Sequence, residues 1–366
     1  LALKPLITKN LTHNSFYQEI NMSHFSFGFG VGTQSSQGEW LEVFYPHPIL
    51  NPSDSLVKAI AGVLGSEVAT GNHAAQINAQ QASQICEALV AVDHESQAQW
   101  LRQAADAGQA MVITLLETDT GPTTTPEVYL KLQLLSAGKV QPHGQDLTGI
   151  FGLLPNVAWT NEGPVAIEDL TQRQMDARLR GEWLHVNAVD KFPRMVDYKV
   201  PKGVRIGDAS RVRLGAHLSE GTTVMHEGFV NFNAGTLGHG MIEGRISAGV
   251  VVGNNSDLGG GCSTMGTLSG GGKEIIAVGE ECLIGANAGV GIALGDRCIV
   301  EAGLYVTGGT KITVLDSNNQ EVGTAKGVAL SGKSDLLFRR NSMSGRVEVK
   351  PNGAAVELND ALHSNN

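Results

Sequence analysis

The sequence predicts an α/β N-terminal domain followed by a parallel β-helix, a triangular coil of short strands, and then a short C-terminal β segment. Three observations carry this. Aliphatic residues recur every six positions at Val200, Ile206, Val212, Leu218, Val224, Val230 and Ile242, with Thr236 the one polar step. Glycine is concentrated: 26 of the chain's 46 glycines lie in residues 201–310. No aromatic residue occurs from Asn233 through Leu304, and no proline from Lys202 through Lys350. A period of six fits neither an amphipathic helix nor an ordinary strand. It suits a coil with three hexads per turn, one aliphatic side chain of each hexad pointing inward.

Taken in order, residues 1–21 precede Met22-Ser23-His24, which reads as a natural start, and form an upstream segment. Residues 22–150 read as the α/β domain. Asn51-Pro52-Ser53 precedes Leu56, Ile60 and Val63 on one helical face. Ile77, Ile85, Leu89 and Val92 continue helical spacing, and Trp100, Leu101, Ala104 and Ala105 mark a third helix. Val112–Leu116 and Val128–Leu132 read as strands, joined by a loop over Gly121–Pro126. In the connecting segment, 151–199, Met175, Leu179 and Trp183 at spacings of four predict a helix. The coil occupies 200–310. Its period weakens at Ala248, Asn254 and Gly260, meets the loop Ser269–Lys273, and resumes at Ile276, Cys282, Ala288, Leu294, Val300 and Val306. Residues 311–366 hold strands near Val314, Leu336–Phe338 and Val347–Val349, then a tail.

The chain carries 36 acidic residues against 26 Lys and Arg, a net charge of −10. That argues against nucleic acid or an anionic membrane as partner. With 42% hydrophobic and 17% charged residues, wholesale disorder is excluded. Cys86, Cys262, Cys282 and Cys298 follow no metal-ligand spacing and are too few for a disulfide scaffold, which points to a reducing cytoplasm. No apolar run reaches the ~18 residues of a membrane span.

Longer strings then become informative: Met225-His226-Glu227-Gly228-Phe229-Val230-Asn231-Phe232-Asn233-Ala234-Gly235-Thr236, Ile242-Glu243-Gly244-Arg245-Ile246-Ser247, Met265–Gly272, Glu301-Ala302-Gly303-Leu304-Tyr305-Val306-Thr307 and Leu337-Phe338-Arg339-Arg340-Asn341-Ser342. From about Val204 to Val349 the chain resembles the tetrahydrodipicolinate N-succinyltransferases, in their long actinobacterial and pseudomonad form. The resemblance implies a left-handed parallel β-helix of hexapeptide repeats and a homotrimer with sites between neighbouring coils. It implies transfer of succinyl from succinyl-CoA to the amine of hydrated tetrahydrodipicolinate, toward diaminopimelate and lysine. Small-molecule substrates are then the partners.

By the same resemblance Glu243 is the catalytic carboxylate, either a general base or a nucleophile forming an acyl anhydride. The positions matching succinyl-CoA contacts are Arg245, Gly260, Ser263, Ala286, Glu301, Ala302, Gly309, Lys326, Arg339, Arg340, Asn341 and Ser342. Arg245 suits a succinyl carboxylate, and Lys326, Arg339 and Arg340 suit phosphates. Relatives hold Mg²⁺ on the trimer axis through a first-coil carboxylate and the Glu of Met-His-Glu-Gly. Glu227 fills the second position, whereas Ser210 stands at the first. Two other readings stay open at this stage. One is another acyl donor or amine acceptor on the same coil. The other takes His217, His226 and His239 as a base or as zinc ligands. For the acceptor's carboxylates, Arg194, Arg211 and Arg213 are candidates on charge.

Overall fold

The computed structural model describes residues 24–266 and 275–353. The upstream segment, the Ser269–Lys273 loop and the tail from residue 354 lie outside the described residues.

The N-terminal region is a four-stranded antiparallel sheet covered on both faces. Its elements are β1 (Ser26–Gln34), β2 (Trp40–Phe44), β3 (Ile49–Leu50), α1 (Asp54–Leu64), β4 (Asn72–Ile77), α2 (Ala79–Val90), α3 (Glu95–Asp106), β5 (Ala110–Leu116) and α4 (Thr125–Ser136). The strands run in the order β2-β1-β5-β4, and β3 adds to one end of β1. Strand alternation sorts the core into two layers. Phe27, Phe29, Ile113 and Leu115 meet Leu56, Ile60, Ile85, Leu89 and Leu101 from α1–α3. Val43, Val112 and Leu116 face Leu130, Leu132 and Leu134 of α4. Ser53 caps α1, its side chain accepting from the Leu56 amide, as the Asn-Pro-Ser signal implies. Ile77 ends a strand instead of joining a helix, because Asn78 caps α2 immediately after it in a reciprocal capping box with Gln81. Val92 falls beyond the end of α2.

Val128–Leu132 is the larger correction. It is part of helix α4, not a strand, and Thr125 and Pro126 of the expected loop form the helix's first turn. Thr124 accepts from the Glu127 amide, and Pro126 needs no intrahelical donor there. The helix is buried on nearly every side, so its sequence shows a continuous apolar run with no 3.6-residue rhythm to mark it. Its polar residues are all engaged. Lys131 donates to Asp119 Oδ1 at 2.6 Å and to the carbonyls of Thr120 and Asp146. Ser136 donates to the Ala216 carbonyl at 3.0 Å and accepts from the Gly215 amide at 2.9 Å, fastening α4 to the coil.

A short turn α5 (Ile150–Leu153) leads to a three-stranded sheet of β6 (Val157–Thr160), β7 (Gly163–Ala166) and β8 (Val186–Asp190), with α6 (Ile167–Leu179) between β7 and β8. The expected connecting helix is thus α6, although Trp183 lies past its end. Met175, Leu179 and Trp183 are all exposed.

From Arg205 onward, strands of two or three residues stack in parallel into three sheets, the faces of a triangular coil. On one face the inward residues are Ile206, Val224, Ile242, Leu258, Ile284 and Val300, each the Cα partner of the next. The first two steps span 18 residues, three hexads. Val200 does not begin this ladder; it is 71% exposed. The period does not weaken after Ile242. It changes phase, because the next inward residue is Ile246, four positions on, and the ladder continues at Val252, Leu258 and Thr264, all buried. Ala248, Asn254 and Gly260 are therefore not core positions. In the later turns Val278, Ile284 and Val290 point inward from the strands, while Ala288 and Cys282 fill the corners two residues earlier. The chain then closes with strands Lys311–Leu315, Glu321–Lys326, Leu336–Arg340 and Val347–Pro351, of which the second was not foreseen.

Candidate active site

One corner of the coil collects most of the expected site. It links the Ile242 face to the face carrying Ile246, and in successive turns it passes through Asp208, Glu227, Glu243, Gly260, Ala286 and Ala302. Every other crossing of this corner takes six residues between inward side chains, as from Val224 to Val230 or Ile284 to Val290. At Glu243 it takes four, Ile242 to Ile246. The shortened corner is tight: a Cβ on Gly244 would lie 2.3 Å from the Cys262 sulfur. Glu243 thus sits in a local departure from the repeat.

Backbone hydrogen bonds tie the corner residues in a column. The Glu243 carbonyl accepts from the Gly261 amide at 3.2 Å, the Gly260 carbonyl from Asn287 at 2.9 Å, and the Ala286 carbonyl from Gly303 at 2.8 Å. The left-handed residues these corners need are Gly261 (φ +69°), Asn287 (φ 56°) and Gly303 (φ +72°). Gly260 has no such requirement. A Cβ placed on it would meet only the Glu243 carboxylate, 3.6 Å from Oε2, so its bare backbone opens the approach to that carboxylate. Beneath the corner, burial and then the Glu243 charge push the Cys262 thiol up to about 12. The buried sulfur is held protonated and is no rival nucleophile.

The adjoining face supplies a second column. Phe229, Arg245, Ser263, Gly289 and Tyr305 are Cα partners in successive strands. Arg245 is exposed and donates to Ser263 Oγ at 2.5 Å, leaving further guanidinium donors directed outward. Phe229, Gly289 and Tyr305 were missed by sequence reasoning; stepping one coil turn at a time from Arg245 would have found them.

At the C-terminal end the expected residues divide. Glu301 accepts from the Arg340 amide at 2.6 Å, and the Arg340 side chain reaches the Gly345 carbonyl, keeping its charge unpaired by acid. Arg339 is held by Glu348 at 2.9 Å, so its charge is already matched, and Asn341 donates to the same carboxylate. Ser342 lies on the exposed turn that the Asn341 side chain organises. Gly309 and Lys326 are on an exposed turn and hairpin, and share no hydrogen bond with the corner column among the described residues.

Glu227 projects into solvent at 70% side-chain exposure, 3.9 Å from His226. Asp208 on the preceding turn holds the Ser210 amide and hydroxyl at 2.8 and 2.7 Å, which depresses its carboxyl pKa. One chain therefore presents a single outward carboxylate here, and among the described residues no group of three His, Cys, Asp or Glu is placed to hold a metal. The three candidate histidines do not converge either. His217 is buried, with Nδ1 3.1 Å from the Val140 carbonyl, and burial lowers its pKa, so it is a structural joint. His226 and His239 are exposed. Among the arginines, Arg211 is spent on the carbonyls of Glu227 and Gly228. Arg194 and Arg213 pair with Asp197 and Asp190. No described helix is long and apolar enough to cross a membrane.

Comparison with known proteins agrees with this arrangement. A profile described as "Tetrahydrodipicolinate N-succinyltransferase middle" matches residues 154–194, and one described as "Hexapeptide repeat of succinyl-transferase" matches residues 275–308. A 2,3,4,5-tetrahydropyridine-2,6-dicarboxylate N-succinyltransferase of Pseudomonas putida is 61% identical, covering 93% of this chain and 98% of that protein. One from Vibrio cholerae is 55% identical over 94% of this chain and all of its own. A Campylobacter jejuni crystal structure, provisionally described as a 2,3,4,5-tetrahydropyridine-2-carboxylate N-succinyltransferase, superposes with a TM-score of 0.84 at 32% identity, covering 92% of this chain and 94% of that one. With such relatives along nearly its whole length, the chain belongs to the tetrahydrodipicolinate N-succinyltransferase family.

Proposed function

We propose that this chain transfers succinyl from succinyl-CoA to the amine of hydrated tetrahydrodipicolinate, giving N-succinyl-2-amino-6-oxopimelate. The observation that carries the reading is the corner column itself, with Glu243 on its one shortened turn, Gly260 bare above it, and Arg245 on the next strand. The reaction is aminolysis of a thioester: a C–N bond forms, the C–S bond breaks, and coenzyme A leaves as thiolate. In this reading the Glu243 carboxylate takes the proton of the attacking amine, since the one sulfur nearby stays protonated. Arg245 binds the distal succinyl carboxylate and so fixes the thioester carbonyl over the corner. Ser263, Gly260, Ala286, Glu301 and Ala302 border the path of the pantetheine arm, and Arg340, Asn341, Ser342, Lys326 and Gly309 its nucleotide end. Arg339 is assigned to holding Glu348 in place instead of a phosphate.

The same reading takes the coil as left-handed, the chain as a cytoplasmic homotrimer, and the domain limits as 22–150, 151–199 and 200–310. Four buried free cysteines suit a reducing compartment. Mg²⁺ would need three copies of Glu227 brought to one axis, since a single chain lacks the donors, and no catalytic step is routed through it. Thiol release from a panel of acyl-CoAs, with and without tetrahydrodipicolinate, tests the assignment. Acceptor-dependent release from succinyl-CoA in preference to acetyl-CoA supports it, whereas preference for another acyl group would reassign the donor.

A further inference from the structure

Away from the corner, a cleft of about 480 Å³ opens between β2, the three-stranded sheet and the first coil turn. That volume lies in the range of small-molecule sites. Its walls are aromatic, with Phe44, Trp159, Phe192 and Phe229 among them. Glu42 lies in the lining at only 7% exposure; its carboxylate accepts from the Thr33 amide at 2.9 Å and the Tyr198 hydroxyl at 3.0 Å, and it enters no ion pair among the described residues. The two arginines of the lining are each matched by an acid: Arg213 with Asp190 at 2.7 Å and Arg194 with Asp197 at 2.9 Å. The cleft therefore has one uncompensated acidic group inside and guanidinium donors at its edge.

We propose that this cleft binds a free amino acid, with the ammonium group on Glu42, the carboxylate on the remaining Arg213 donors and a short apolar side chain against Phe44 and Phe229. Each part of the ligand answers a feature of the lining. A buried carboxylate with two neutral donors gains most from a cation, which also opposes the rise that burial imposes on its pKa. Arg213 uses one donor on Asp190 and one on Asn231, and its plane faces Phe192 at 5.2 Å, so further N–H groups stay open to a planar acid. The site is distinct from the corner, because neither Glu243 nor Arg245 lines it. It is not isolated from it: Phe229 is the Cα partner of Arg245 on the neighbouring strand, so an occupant touches the strand beneath the succinyl-binding arginine.

Calorimetric titration of the full chain with L-norleucine, hexanoate and n-pentylamine tests the inference, the last two lacking the ammonium and the carboxylate respectively. Saturable norleucine binding, at least tenfold tighter than either truncated probe, is expected. Glu42→Gln keeps an acceptor for Thr33 and a partner for Tyr198, and should weaken norleucine at least tenfold while leaving hexanoate unchanged. Equal binding of all three probes, or none, would overturn the proposal. So would displacement of norleucine by tetrahydrodipicolinate, which would make the cleft part of the transfer site. The three-probe comparison on the unaltered chain decides the matter even if the variant does not fold.

Discussion

Gly260 and Gly261 are adjacent, yet the structure gives them different work. Gly261 holds a positive φ that L-residues rarely adopt, while Gly260 holds none and faces Glu243. Gly261→Ala should therefore destabilise the fold by about 1–2 kcal/mol, the cost of a left-handed side-chain residue. Gly260→Ala should leave the melting temperature near that of the parent and lower kcat at least tenfold by crowding the carboxylate. Melting curves beside steady-state rates separate the two; a Gly260→Ala protein as unstable as Gly261→Ala would mean that both are corner glycines. Glu243 itself was legible only through its motif, because a single glutamate in a turn has no signature of its own. Cys262 and Tyr305 were invisible for another reason: their relation to Glu243 and Arg245 is one coil turn away in space and 16 to 60 residues away in sequence.

Among the elements, those with a repeating rhythm were read correctly and those without it were not. The first half of the coil ladder follows from a period of six, and α1 and α3 follow from their helical faces. Helix α4 fails because every face is apolar, and the ladder after Ile242 slips because one corner is two residues short. That slip falls at Glu243, so the place where the pattern breaks is the place the chemistry uses. The buried polar contacts of α4 give a prediction at this scale. Lys131 is fully buried while its partner Asp119 is about one-third exposed. Lys131→Met should cost about 3 kcal/mol, chiefly by stranding Asp119 and two carbonyls. Urea unfolding measures it, and a loss below the ~0.5 kcal/mol of an ordinary surface change would refute the joint.

For the whole molecule, the α4–coil joint links the N-terminal sheet to the repeat, and His217 lies in it. Burial holds its pKa below the usual 6.5, so the folded state keeps the neutral ring. The unfolded chain takes up a proton from about pH 6.5 downward, and stability falls across that window until the folded-state pKa is reached. His217→Gln should flatten this segment of the stability–pH curve, as read by denaturant midpoints from pH 7.5 to 5; an unchanged slope would place the titration elsewhere. Assembly is tested at the same scale. Light scattering should give three times the 38.5 kDa chain mass, and a monomer would contradict the trimer.

The central claim is that the shortened coil corner carries the reaction through Glu243. Its most direct test is acceptor-dependent thiol release from succinyl-CoA by the Glu243→Gln protein beside the unaltered one, with KM determined for both substrates. We predict a loss of kcat of at least a hundredfold, the usual scale for removing a positioned base, with both KM values little changed. Full activity in the assembled variant would contradict the account and remove Glu243 from the chemistry.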